Sequence, residues 1–139
     1  MRLTLFSVDE ANRLAAEIRP SLERLVRARA EFYRLQGRID VLTLAASGAA
    51  PGNPDARELR QLKERRGPLG EQLRLGVQAI QSRGPVVKDL TRGLVDFYSI
   101  AGDRLIFLCW QLGESEVSHW HTLEGGFANR QPLNRSERE

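Results

Sequence analysis

Hydrophobic positions in the first part of the chain recur at helical spacing. Ser7 is a predicted helix cap, because Glu10 stands three residues later and completes a capping-box pattern. The apolar stripe beyond it continues at intervals of three and four residues, as in a long helix that packs along a partner helix. Its members are Leu22, Leu25, Ala28, Phe32, Leu35, Ile39, Leu42 and Ala46. Pro20 removes one helical hydrogen bond, so we expect a kink there in preference to a restart of the helix.

A second apolar stripe predicts a second helix. A Ser-Gly-Ala-Ala-Pro-Gly loop ends the first stripe, and Asn53 followed by Pro54 is a strong helix start. The new stripe consists of Leu59, Leu62, Leu69, Leu73, Val77 and Ile80, with Arg66 at the missing heptad position. Gly67 and Pro68 weaken its middle, where we expect a kink or a short break. A short loop between two long helices favours an antiparallel hairpin.

The pattern changes to short strands after Gly84 and Pro85. Three segments rich in aromatic and β-branched residues lie at 94–98, 104–110 and 117–123, and hairpin-compatible turns separate them. They predict a small three-stranded antiparallel meander packed on the hairpin. The predicted fold is a single α+β domain over residues 1–139, with the hairpin at 7–84, the sheet at 85–133 and a frayed tail at 134–139.

Composition excludes several classes of protein. The chain has 139 residues, of which 41% are hydrophobic and 28% charged, as in an ordinary soluble domain. No apolar run approaches the roughly 18 residues that span a bilayer, so we expect no membrane association. The single cysteine, Cys109, cannot form an internal disulfide, which favours a cytoplasmic location.

The basic residues are concentrated in the helical region. Residues 1–84 contain 15 of the 21 lysines and arginines, beside 10 acidic residues. Such clusters raise the question of nucleic-acid binding. However, glutamates are interspersed with the arginines, and no aromatic residues alternate with them. Solvated helix flanks with interhelical ion pairs are therefore the favoured interpretation, and nucleic-acid binding is disfavoured.

Two histidines are the strongest candidates for chemistry. His119 and His121 are the only histidines in the chain and lie two residues apart in a predicted strand. Period-two geometry places both imidazoles on one face, with Trp120 on the other. Together they can bind a divalent transition metal such as zinc or iron, with Glu114 or Asp96 as a carboxylate ligand. The same spacing also occurs in strands whose histidines only form hydrogen bonds.

The strand register decides whether Cys109 joins these residues. A two-residue turn at Gly102-Asp103 places Asp96 opposite Cys109. A two-residue turn at Gly113-Glu114 would place His119 opposite Leu108 and turn both histidines away from Cys109. A longer loop or a bulge would shift the pairing by one residue and bring Cys109 beside His119. The sequence leaves both registers open.

Two cations are candidates for anion binding or ion pairing. Arg130 follows a Gly-Gly turn and is either an oxyanion clamp or the ion-pair partner of Asp96 or Glu124. Lys88 is the other candidate partner of Asp96. The glycine pair lacks the context of a nucleotide-binding motif, so no nucleotide cofactor is expected.

Several short segments together resemble a known family, the prokaryotic proteins of domain of unknown function 2203. They are Phe6 to Leu14, Val87-Lys88-Asp89, Gly93-Leu94-Val95-Asp96-Phe97, Leu108-Cys109-Trp110, Gly113-Glu114, His119-Trp120-His121 and Gly126-Phe127 through Arg130. The resemblance spans nearly the whole chain and implies one domain of bacterial, cytoplasmic type. It implies no catalytic role for any residue.

Two functional hypotheses follow from the sequence. The first is a metal-binding protein that uses His119 and His121 with a nearby carboxylate. The second is a non-enzymatic interaction module whose histidines are structural. In the second case the hairpin would form a homodimer, since two hairpins combine readily into a four-helix bundle.

Overall fold

Two long helices form the first part of the chain. The structure is a computed structural model, and it describes residues 3–134. Helix α1 spans Val8–Ala45 and helix α2 spans Pro54–Gln81. The predicted capping box of α1 is present, since the Ser7 hydroxyl accepts a hydrogen bond from the Glu10 N–H while the Glu10 carboxylate accepts one from the Ser7 N–H. Both helices continue through their internal prolines, so neither the restart after Pro20 nor the break near residue 67 occurs.

The two helices pack as the predicted antiparallel hairpin. Ion pairs connect their flanks along the length of the hairpin: Arg38 with Glu58, Arg65 with Glu31, and Arg83 with Glu17. Gly76 brings the backbone of α2 close to the Leu25 side chain, where a larger residue would collide. Interhelical contact therefore outweighs the helix-breaking tendency of the prolines, because packing supplies most of the stability of a helix in a protein. None of the helices in the described chain is long and apolar enough to cross a membrane.

A five-stranded antiparallel sheet follows the hairpin, with the strands in sequence order. They are β1 (Val86–Asp89), β2 (Leu94–Ala101), β3 (Arg104–Gln111), β4 (His119–His121) and β5 (Gln131–Pro132). The α+β prediction is confirmed, although the sheet has two strands more than the three expected. The additional strands β1 and β5 are four and two residues long, too short for a readable alternation.

The two faces of the sheet are covered by different parts of the chain. One face packs on α1 and forms the main core, in which Phe97, Leu108 and Trp110 are fully buried. The opposite face carries alternate residues of the same strands, including the buried Phe107 and Cys109. Side chains from the segment after β4, which contains a short 3-10 helix (Phe127–Asn129), line a pocket on that face. The sheet is thus enclosed on both sides.

The register between β3 and β4 is the shifted one. Cys109 lies opposite His119, Leu108 opposite Trp120, and Phe107 opposite His121. Between β2 and β3, Asp96 lies opposite Cys109, as a two-residue turn requires. The chain between β3 and β4 is longer than a two-residue turn and contains Gly113 at a positive φ of 104°. This longer connection places Asp96, Cys109 and both histidines on one face.

Candidate metal centre

Three side chains from three neighbouring strands converge on the loop-covered face of the sheet. Asp96 from β2, Cys109 from β3 and His121 from β4 each offer one potential ligand atom, and these atoms lie within 4.8 Å of one another. All three residues are at most 3% exposed. The closest pair is His121 Nε2 and Asp96 Oδ2, which are 2.9 Å apart. The described residues contain one such group of potential metal ligands.

The two histidines share a face but have different surroundings. His121 joins Asp96 and Cys109, whereas His119 makes a 3.0 Å hydrogen bond with the Ser118 hydroxyl through Nδ1. The same nitrogen is 3.8 Å from the nearer Glu114 oxygen, and the His119 side chain is 28% exposed. The structure therefore separates the predicted ligands into a buried set that includes His121 and Asp96 and a partly exposed pair formed by His119 and Glu114.

The hydrogen bonds of His121 define where its protons lie. Its Nδ1 is 2.6 Å from the carbonyl oxygen of Thr122. Because a carbonyl can only accept, Nδ1 carries a proton and donates it. Nε2 therefore faces Asp96, and a proton must lie between those two atoms for the contact to be a hydrogen bond. Both ring nitrogens are used in this way, so His121 has no nitrogen free to activate the Cys109 thiol as in a Cys-His-Asp nucleophilic triad.

Burial makes the acidic groups of this cluster harder to ionise than they are in water. Burial raises the pKa of Asp96, although the charge of His121 and the neighbouring Cys109 and Lys88 partly oppose that shift. Burial, followed by the negative charge of Asp96, raises the pKa of the Cys109 thiol to about 12. The Arg130 guanidinium, which lies beside the thiol, partly opposes the rise in the pKa of Cys109. A further positive charge beside the carboxyl and the thiol would favour the ionisation of both together.

One side of the cluster opens onto a small pocket of about 200 Å³. Its walls contain Asp96, Cys109 and His121, residues from β1, and the loop residues Leu123, Glu124, Gly126 and Phe127. The β1 residues include Lys88, whose ammonium nitrogen lies 4.7 Å from the centre of the Phe107 ring. The cluster can therefore exchange a small ligand with this pocket.

Arg130 and Glu114 form a second polar group at the end of the covering loop. The guanidinium of Arg130 donates two hydrogen bonds to the Glu114 carboxylate, at 3.1 and 2.8 Å. Glu114 also accepts a 2.7 Å hydrogen bond from the N–H of Gln111, the last residue of β3. Burial alone would raise the pKa of Glu114, but these hydrogen bonds hold it below its ordinary value. The ion-pair partner of Arg130 is thus Glu114, and the pair fastens the loop to the end of β3.

Sequence reasoning missed two groups that enclose the site. The Thr122 carbonyl and Phe127 belong to a glycine-containing segment that has no periodic pattern. One residue of the sequence did indicate a buried polar site. Asp96 is a carboxylate between apolar strand residues, and it requires a partner when it is buried. That partner is His121.

Comparison with known proteins assigns the chain to a family without a described activity. The family model of the uncharacterized conserved proteins DUF2203 matches residues 4–133, which confirms the resemblance read from the sequence. The match includes both helices and all five strands of the described chain. No curated protein and no solved structure matches the chain. The function must therefore be argued from the geometry of the site.

Proposed function

We propose that this chain, which belongs to the DUF2203 family of uncharacterized conserved proteins, binds a divalent transition-metal ion through Asp96, Cys109 and His121. The observation that carries the proposal is the convergence of one carboxylate, one thiol and one imidazole from three strands within 4.8 Å. Nitrogen, sulfur and oxygen donors of this kind suit zinc and iron.

The spacing of the potential ligand atoms supports the proposal. Typical zinc–ligand distances give separations of about 3.3 to 3.8 Å between two ligands of a tetrahedral ion. The atoms of Asp96, Cys109 and His121 lie in this range or within about an ångström of it. A metal would enter between Nε2 and the carboxylate and replace the proton that they share.

The surroundings of His121 also match those of a metal ligand. Histidines that bind metals usually donate their other ring N–H to a carbonyl or a carboxylate, which fixes the orientation of the ring. The Thr122 carbonyl accepts that hydrogen bond here, at 2.6 Å. A dication would in addition compensate the buried charges of Asp96 and the Cys109 thiolate. The reduced thiol that this site requires agrees with the cytoplasmic location that we propose from the single cysteine.

Asp96, Cys109 and His121 would supply three protein ligands to the ion. A metal held by three protein ligands would retain a position for water or substrate, as in catalytic zinc sites. All three residues line the pocket, from which such a ligand would enter. The chemistry that such a centre supplies is Lewis-acid activation of a bound water or ligand.

Metal analysis of untagged protein tests the proposal. We expect close to one equivalent of zinc or iron after purification, or of Co²⁺ after loading, and loss of that metal in Cys109→Ala and His121→Ala variants. His119→Ala is the matched control, because His119 lies on the same face of the same strand but outside the cluster. Absence of bound metal after loading would refute the proposal, as would equal metal loss in the His119 variant.

The second candidate function is homodimerisation through the hairpin. It is favoured by exposed apolar residues on α1, since Tyr33, Val41 and Leu44 are 57%, 56% and 81% exposed. Their spacing of eight and three residues aligns them on the side of α1 away from α2. Light scattering tests this candidate. A dimer that dissociates in a Val41→Glu/Leu44→Glu variant supports it, whereas a monomer at all concentrations contradicts it.

A further inference from the structure

The pocket beside the cluster contains a lysine that a strand irregularity directs toward it. In β1, Val87 lies opposite Val95, but Asp89 lies opposite Leu94, so Lys88 is an additional residue in a β-bulge. A bulge places two consecutive residues on the same side of a strand and frequently redirects a side chain at a functional site. Lys88 and Asp89 accordingly both line the pocket.

The ammonium of Lys88 is available to a ligand. Within residues 3–134 it forms no ion pair, and its contact is with the Phe107 ring at 4.7 Å. It lines the same pocket as Asp96, Cys109 and His121. The lysine therefore presents a positive charge at the mouth of a pocket whose inner wall is the cluster.

The other charged groups of the pocket are engaged or lie at its edge. Asp89 accepts a 2.7 Å hydrogen bond from the Thr91 N–H, and Arg92 and Arg29 offset its charge. Glu124 belongs to the covering loop and is exposed. The charge of a metal bound by one thiolate and one carboxylate is balanced. Lys88 in the pocket wall and Arg130 beside the Cys109 thiol therefore add positive charge around a neutral centre.

We infer that the pocket binds a small oxyanion, a carboxylate or a phosphate, that ligates the metal through one oxygen and contacts the Lys88 ammonium through another. This inference rests on the metal centre proposed above. The pocket volume of about 200 Å³ suits a small anion. A cation beside a metal with an open position is a suitable arrangement for two-point recognition of an oxyanion.

Titration of the Co²⁺-loaded protein with anions tests this inference. The probes are acetate and inorganic phosphate, and the readout is the visible spectrum of Co²⁺, which changes when an anion enters its coordination shell. We expect saturable spectral changes with at least one probe, and the tighter-binding probe identifies the ligand class. The Lys88→Gln variant should weaken that binding about tenfold, as for the loss of one charge-assisted contact.

The control variant is Lys63→Gln, which removes the other lysine of the chain from an exposed position on α2. It should bind Co²⁺ and anions as the unaltered protein does. Normal Co²⁺ binding with no response to either anion would overturn the inference while leaving the metal centre intact, as would equal anion affinity in both lysine variants. Failure to bind Co²⁺ at all would instead refute the proposed function, and the inference with it.

Discussion

The two faces of the sheet are built from alternate residues of the same strands, yet their buried side chains differ in polarity. The face toward α1 buries Phe97, Leu108 and Trp110 and is mostly apolar. The face under the 122–130 segment buries Asp96, Cys109 and His121 beside the Phe107 ring. Apolar burial stabilises the fold, whereas polar burial costs free energy unless each group has a partner. The comparison indicates that one face stabilises the fold through apolar burial, whereas the other gathers the candidate metal ligands.

The largest expected effect comes from truncating the helix-facing core. Trp110→Ala removes a fully buried indole and should lower the free energy of unfolding by about 3–5 kcal/mol. Urea denaturation followed by circular dichroism measures this change. Leu75→Ala is the matched control on an exposed apolar position of α2 and should leave the transition midpoint unchanged. A Trp110 variant as stable as the parent would show that this face does not stabilise the fold.

A smaller effect is expected from the polar face in metal-free protein. Asp96→Ala leaves the buried Nε2 of His121 without its partner and should cost about 1–3 kcal/mol in the free energy of unfolding. The same denaturation experiment, performed in the presence of a chelator, provides the value. His119→Ala should cost less, because its side chain is partly exposed. An increase in the free energy of unfolding in Asp96→Ala would contradict this expectation. It would mean that burying Asp96 costs more free energy than its hydrogen bond with His121 contributes.

The stability that the ion pair between Arg130 and Glu114 contributes should depend on pH. Since the folded-state pKa of Glu114 lies below its ordinary value of 4.5, its ionisation stabilises the fold above that pH. The contribution is lost as the pH falls from 4.5 through the lower folded-state value. Glu114→Gln should therefore be less stable than the parent at pH 7, by about 1–2 kcal/mol, and the difference should shrink below pH 4.5. Unfolding curves across this pH range provide the test. A difference in unfolding free energy between Glu114→Gln and the parent that stayed constant with pH would contradict this role of Glu114.

The smallest effect is expected on the exposed helix flanks. Glu58→Gln breaks the 3.0 Å ion pair with Arg38, in which both side chains are more than 40% exposed. Such pairs contribute little because water and salt screen them. The thermal midpoint should match that of the parent within experimental error. A clear decrease would mean that the helical region depends on its charges more than its exposure indicates.

Local patterns predicted the elements of the fold. The capping box at Ser7, the Asn53-Pro54 start and the two apolar stripes indicated the hairpin, because helix ends and faces depend on nearby residues. Aromatic and β-branched content indicated the central strands β2 and β3, and the period of two within β4 placed both histidines on one face. The sequence favoured a continuous helix through Pro20, but it left a kink and a break equally open near Pro68, since contacts with the other helix decide whether a proline ends a helix.

The candidate site depends on long-range features that a local pattern does not contain. A difference of one residue in the β3–β4 connection decides whether Cys109 faces the histidines. The path of the 122–130 segment depends on the pairing of Arg130 with Glu114, sixteen residues earlier. Consequently, the sequence identified His121 and Asp96 as candidates but did not distinguish them from His119 and Glu114.

X-ray absorption at the zinc edge of the zinc-loaded protein would identify the ligands of the proposed metal centre. We expect one sulfur neighbour at about 2.3 Å, from Cys109, and nitrogen or oxygen neighbours at about 2.0–2.2 Å. The sulfur signal should disappear in Cys109→Ser and persist in His119→Ala. A zinc shell of nitrogen and oxygen alone in the unaltered protein would contradict the claim that these three strands form a metal centre.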